Sequence, residues 1–320
     1  MSVMESTVLM KKNLKEKNSW KGVWTALITP LKCNENSGVE IDLESLKSLI
    51  DRQISEKVDG FVIAGSTGEG SLLNSKNYRV LIEAAVQYVD SRVPVVIGLG
   101  IGGTESCLEN ARLSQSLGAD GVLASVPAYV RPSQEGIFSH YQTLDQLGIP
   151  VCLYDVPSRS ASQIDIATVK RVFKECPNVH SLKDATGDLN RLKSYLDDSE
   201  EHVQRIALLS GEDALFSDFL KLGADGIVSV ASHFALPEMT KIKEKSEEEK
   251  WDAAAQLQDR LHGLIECLFN VSNPIPTKSL AFQLKWIMNS HISQPLHLLS
   301  EEQLGKTVEE FELLKRERAS

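Results

Sequence analysis

Leu117–Val126 reads LGADGVLASV, and nearly the same words return as LGADGIVSV at Leu222–Val230. A looser copy, KVDGFVIAG, occupies Lys57–Gly65. Each copy joins the end of a helix-like stretch, through an Asp-Gly turn, to the start of an apolar run rich in β-branched residues. A chain that repeats this join builds one βα unit several times over, which suits a rotationally repetitive fold.

Working outward, eight apolar runs read as strands. They are VWTALIT from Val23, GFVIAG from Gly60, VPVVIGLG from Val93, GVLASV from Gly121, IPVCLYDV from Ile149, NVHSLKD from Asn178, RIALLSG from Arg205 and GIVSV from Gly226. They are nearly all-apolar rather than alternating, as expected of strands covered on both faces. Between them lie helical patterns such as DLESLKSLIDRQISEK, NYRVLIEAAVQYVD and ESCLENARLSQSLG. Alternating β and α implies a parallel sheet, and about eight such units in roughly 250 residues imply an α/β fold of the (β/α)8 TIM-barrel class rather than a doubly wound sheet. Beyond Pro237 the strands stop and the chain reads as helices, with a break at NPIP (273–276). The expected organisation is an N-terminal tail (1–19), a barrel (20–238) and a C-terminal helical extension (239–320).

Composition narrows the function. With 320 residues and 42% hydrophobic, the chain can bury a large core, and a net charge of −10 argues against nucleic acid and anionic membrane as partners. Five scattered cysteines without a C-x-x-C pair read as reduced thiols of a cytoplasmic protein. The first residues, to about Asn18, are too interrupted in their hydrophobicity for a secretory signal and read as a solvated tail.

In a (β/α)8 barrel, chemistry sits where the strands run out. Those positions here are polar and reactive: Gly65-Ser66-Thr67-Gly68-Glu69, Tyr129, Tyr154 to Arg159, Lys183-Asp184 and Ser210-Gly211-Glu212. Lys183 is the odd one, a flexible cation ending an apolar strand. Alone it would be a solvated strand end loosely paired with Asp184. Beside a tyrosine on the neighbouring strand, a hydroxyl pair and an arginine, it reads as a nucleophile. Amines attack carbonyls only as the free base, and lysines that form Schiff bases are those whose enclosure disfavours the ammonium. Tyr154 can carry protons, with Ser66, Thr67 and Tyr129 continuing the chain. The N–H groups around Gly65 to Gly68, read as opening the next helix, can hold a small carboxylate, and Arg159 can hold a second one bidentately.

Four blocks then give the chain a likeness. GSTGEGSLLN (65–74), YVRPSQEG (129–136), YDVPSR (154–159) and SLKDATGD (181–188) occur in order, with weaker support from LSGEDAL and GADGIVSV. From about Trp24 to Ile287 the sequence resembles the pyruvate-dependent class I aldolases of the dihydrodipicolinate synthase and N-acetylneuraminate lyase superfamily, and YDVPSR and RPSQEG resemble the synthase branch. The resemblance implies that Lys183 forms the Schiff base with pyruvate, that Tyr154 relays protons, and that Ser66 and Thr67 form the hydroxyl pair, with Thr67 near the pyruvate carboxylate. It implies that Tyr129 crosses a dimer interface into a neighbouring subunit of a homotetramer. Arg159 would receive the carboxylate of L-aspartate 4-semialdehyde, and Gly65, Gly211 and Val228 would complete the substrate-binding set. The implied reaction leads toward diaminopimelate and lysine, with no metal and no organic cofactor.

Three departures bear on the acceptor. Ser66 replaces the threonine usual in the synthase branch, Asp155 replaces the usual Asn, and Val130 a frequent Asn. The alternative within the superfamily is a sialic acid lyase or a 2-keto-3-deoxy sugar acid aldolase. Where lysine-inhibited members hold their effector, this chain aligns Ser75, Tyr78, Gly102, Ser106 and Ala128, so little feedback inhibition is expected. Gly98, Gly100 and Gly103 satisfy a dinucleotide fingerprint, but the following strand ends near Ser125 and Val126 without the acidic residue a ribose needs. The seven histidines show no metal-ligand spacing. A non-catalytic barrel that binds a keto acid is the remaining rival.

Overall fold

The computed structural model describes residues 13–33, 38–196 and 206–319. The barrel strands are β1 (Gly22–Ala26), β4 (Gly60–Ile63), β5 (Val95–Gly98), β6 (Gly121–Ser125), β7 (Val151–Asp155), β8 (Val179–Asp184), β9 (Ala207–Ser210) and β10 (Gly226–Ser229). All pair in parallel, and the ring closes where β1 meets both β4 and β10. Seven lie inside the expected runs, and β1 starts one residue before its own, at Gly22. A short antiparallel hairpin, β2 (Leu31–Cys33) with β3 (Val39–Ile41), was not expected; its strands are too short to show a period.

Apart from the single turn α5 (Pro157–Ser160), which follows β7 at the mouth, the helices cover the ring: α1 (Leu43–Ser55), α2 (Ser75–Val89), α3 (Thr104–Ser116), α4 (Gln134–Asp145), α6 (Ile166–Glu175), α7 (Leu189–Leu196), α8 (Phe216–Lys221) and α9 (Ser232–Glu247). Their apolar faces meet the outward faces of the strands in two buried shells, one around Phe61, Phe216 and Phe234, the other around Tyr141, Phe173 and Tyr195. Since β1 and β4 to β7 are buried at every position, no polar face interrupts them.

The Asp-Gly repeat has a physical cause. At the base of the barrel each repeated aspartate clamps the neighbouring strand. Val23 N–H donates to Asp59 Oδ2 at 2.9 Å, Val95 N–H to Asp120 Oδ2 at 2.9 Å and Leu208 N–H to Asp225 Oδ2 at 3.0 Å. The N–H of each aspartate returns to the carbonyl of that same residue, at 2.9, 2.9 and 2.8 Å. The following glycine makes room: a Cβ at Gly60 would stand 2.3 Å from the Trp24 ring.

Two expectations change here. The sequence predicts a solvated tail to about Asn18, yet Leu14 is only 2% exposed and packs with Trp20 and Trp24 at the base of the barrel. Trp20 Nε1 donates to Leu14 O at 2.7 Å, and the two indoles stack at 5.4 Å. An apolar barrel floor draws in apolar chain; residues before Asn13 lie outside the described set. Second, α9 runs across the expected division at 238/239 as the last barrel helix, so the helical extension starts later, with α10 (Trp251–Arg260), α11 (His262–Phe269), α12 (Ile275–Gln283) and α13 (Glu301–Ala319). Glu249, at φ +56, separates α9 from α10. Among the described residues, no helix is long and apolar enough to cross a membrane.

Candidate active site

Successive side chains of a strand point to opposite faces. Tyr154 and Lys183 are register partners on β7 and β8, and both point into the barrel mouth. Lys183 Nζ lies 4.3 Å from the centroid of the Tyr154 ring, and both residues are over nine-tenths buried. They line a cavity of about 260 Å³. Gly65, Ser66, Thr67, Arg159, Gly211 and Val228 line it too, so the fold brings together every selected residue except Tyr129. Tyr129 is 94% exposed, with φ +71, on the loop after β6, beside exposed Val130. It forms no part of this chain's own cavity.

Gly211 is dictated by closeness. Its N–H donates to Asp184 O at 2.6 Å, and a Cβ there would stand 2.6 Å from Ala185 Cβ and 3.0 Å from Lys183 Cε. The glycine gives the lysine its channel. Glu212 also faces the cavity, and burial, with Asp213 beside it, raises its carboxyl above the usual range.

The GSTGE segment does not open a helix as expected. Asn74 caps α2, its side chain accepting from Asn77 N–H at 2.8 Å, so the N–H groups of Gly65 to Gly68 belong to a loop rather than to a helix terminus. That loop folds back on itself: Gly70 N–H donates to Gly65 O at 3.1 Å, where a side chain at Gly70 would strike Ala64 O. Its carboxylate, Glu69, is fully buried. It pairs with Lys278 of α12 and accepts from Ser293 N–H at 2.7 Å.

The sequence offered no signal for Asn273, two residues before α12. Its Nδ2 donates to Thr67 Oγ1 at 2.8 Å, and its backbone carbonyl accepts from Arg159 Nη2 at 3.0 Å. Asn273 and Phe269, at the end of α11, form the far wall of the cavity. The helical extension therefore completes the site.

Asp155 turns out not to face the cavity. It points outward with Asp184 into a buried cluster, where Arg191 Nη2 reaches Asp155 Oδ2 at 2.8 Å and Ile164 N–H donates to Asp155 Oδ1 at 3.3 Å. Arg191 also donates to Tyr195 Oη at 2.8 Å and lies 3.9 Å from Asp184. Burial pushes the Asp155 carboxyl up to about 7, against the pull of Arg191 and with the repulsion of Asp184. Burial raises Asp184 as well.

Taken together, the site offers an enclosed primary amine against a phenol, hydroxyls and loop N–H groups on one side, and a guanidinium at the mouth. It can form an imine with a small keto acid and admit a second, anionic carbonyl compound.

The sequence profile of the dihydrodipicolinate synthetase family matches residues 19–312. The 4-hydroxy-tetrahydrodipicolinate synthase of Persephonella marina is 34% identical over 300 residues, covering 92% of this chain and 100% of its own. That of Campylobacter curvus is 35% identical over 302 residues, covering 93% and 99%. The solved structure of the 4-hydroxy-tetrahydrodipicolinate synthase from Methylacidiphilum fumariolicum SolV superposes with a TM-score of 0.87 at 30% identity, covering 93% of this chain and 97% of that one.

Proposed function

The chain belongs to the dihydrodipicolinate synthetase family, and from that premise we propose that it is a 4-hydroxy-tetrahydrodipicolinate synthase, a lyase that condenses pyruvate with L-aspartate 4-semialdehyde on the route to diaminopimelate and lysine. The observation that carries this reading is the buried Lys183 amine held against the Tyr154 ring in a cavity that opens past Arg159.

Lys183 Nζ attacks the keto carbon of pyruvate. The carbinolamine loses water to give the imine, and Tyr154 with Ser66 shuttles the protons this requires. Thr67 and the loop N–H groups hold the pyruvate carboxylate, while Gly211 and Val228 keep the channel around the imine narrow. Loss of a methyl proton gives the enamine, whose carbon bonds to the aldehyde carbon of the second substrate. The imine nitrogen is the electron sink, so no cofactor or metal is called for. Arg159 holds the carboxylate of the semialdehyde. Its amino group then displaces Lys183 from the imine carbon, which closes the ring and frees the enzyme.

Tyr129 supplies its hydroxyl to a neighbouring subunit, in a homotetramer built of dimers; its exposure and positive φ support a side chain held out for a partner. All five cysteines are free thiols, which supports a cytoplasmic setting.

The test is borohydride reduction in the presence of labelled pyruvate, with peptide mapping, followed by a comparison of aspartate semialdehyde, N-acetylmannosamine and glyceraldehyde as acceptors. The label is expected on Lys183 and turnover with aspartate semialdehyde. Label elsewhere refutes the mechanism, and preference for a sugar refutes the substrate.

A further inference from the structure

Among the described residues, the hydroxyl of Thr67 makes one side-chain bond, and there it is the acceptor: Asn273 Nδ2 donates to it at 2.8 Å. A hydroxyl has one hydrogen and two acceptor sites. With an N–H aimed at its oxygen, the hydrogen must point elsewhere, and the direction left open is the cavity that Thr67 lines. The Oδ1 of Asn273 is buried and finds no partner, so its amide is anchored through the Thr67 bond alone. The segment is braced from both sides. Lys278, on the helix that Asn273 precedes, forms its buried pair with Glu69, two residues beyond Thr67, and Arg159 donates to the Asn273 backbone carbonyl.

We propose that Asn273 is a positioning residue that sets the donor direction of the Thr67 hydroxyl, turning its hydrogen toward the carboxylate of the keto acid bound at Lys183. This rests on the Schiff-base reading given above and adds a polarity to it. An acceptor in place of the amide N–H would reverse the bond: Thr67 would donate to residue 273 and offer the substrate carboxylate only lone pairs.

That reversal gives the test. Asn273→Asp preserves shape but turns the donor into an acceptor and adds a negative charge beside an anion site. Asn273→Ala removes the partner and leaves Thr67 free to rotate. The readouts are the pyruvate concentration that half-saturates borohydride-trapped adduct, the KM for aspartate semialdehyde, and the melting temperature. The expected result is an order. Half-saturation rises about tenfold for Asn273→Ala and about a hundredfold for Asn273→Asp, in line with loss and then reversal of a charge-assisted hydrogen bond. The aldehyde KM should move less than about threefold in Asn273→Ala, because Arg159 bonds the backbone. A role in packing alone predicts the opposite order, since the isosteric Asp fills the site better than Ala. Asn273→Asp binding pyruvate as well as or better than Asn273→Ala therefore overturns the inference.

If Asn273→Asp does not fold, the Thr67→Val background decides. Adding Asn273→Ala there should cost nothing further for pyruvate, and an independent cost overturns the proposal. Absence of any adduct in the unaltered protein would instead overturn the Schiff-base reading and, with it, this role of Thr67.

Discussion

Gly211→Ala isolates the channel around the lysine. Carbon atoms in contact settle about 3.5–4.0 Å apart. The added methyl would sit 2.6 Å from Ala185 Cβ and 3.0 Å from Lys183 Cε. The first contact is therefore short by about 1 Å, and its partner is fixed to backbone and cannot rotate away. Either the end of β9 retreats or the Lys183 stem swings aside. Overpacking of this kind costs about 1–3 kcal/mol in stability. A misplacement of about 1 Å at the reacting group costs on the order of a hundredfold in rate. The two readouts should separate, with a melting temperature lowered by a few degrees and imine formation slowed about a hundredfold. The assay is a single-turnover time course of pyruvate trapped by borohydride, run beside thermal unfolding. Trapping within about threefold of the unaltered rate, in a protein that carries the methyl, would refute the claim that Gly211 holds the channel open.

Lys278→Met should destabilise by about 3–5 kcal/mol in urea unfolding, because it leaves the Glu69 carboxylate buried without a cation. Adding Glu69→Gln should restore most of that loss, since Gln still accepts from Ser293 N–H. Asp155 should make the fold weaker as pH rises. Its carboxyl is raised to about 7 in the folded chain from a reference near 3.8, so the folded state holds that proton more tightly. This contribution is fully present below about pH 4 and is lost as pH climbs through 7. The urea midpoint of Asp155→Asn should accordingly change less between about pH 5 and pH 8 than that of the unaltered protein; an equal change rejects the assignment. Lysine at about 1 mM should leave turnover unaltered. At the aligned positions Ser75, Gly102 and Ser106 offer small exposed groups, Ala128 offers none, and the Tyr78 hydroxyl is committed to Gly98 O at 2.9 Å. Inhibition at that concentration would show an effector site built from other residues.

The barrel was legible because strands buried on both faces leave short apolar runs that alternate with helical patterns, and each of the eight runs coincides with a barrel strand, β1 alone starting one residue earlier. The same rule explains where reading stopped. Tyr154 and Lys183 could be placed together because they end adjacent strands. Asp155 could have been placed as well, since it follows an inward residue and must face out; its departure from Asn belongs to the Arg191 cluster rather than to the acceptor. Asn273 was not legible. It meets Thr67 across 206 residues of chain, from a Pro-rich break whose local pattern says only that a helix ends. Leu14 was misjudged for a similar reason: the floor it covers, the stacked Trp20 and Trp24, exists only once the ring has closed.

The three aspartates under the barrel fasten staves at the end farthest from Lys183. The clamps and the buried amine thus stand at opposite poles of one molecule, so loosening a clamp is expected to lower the melting temperature while leaving pyruvate trapping at Lys183 little changed.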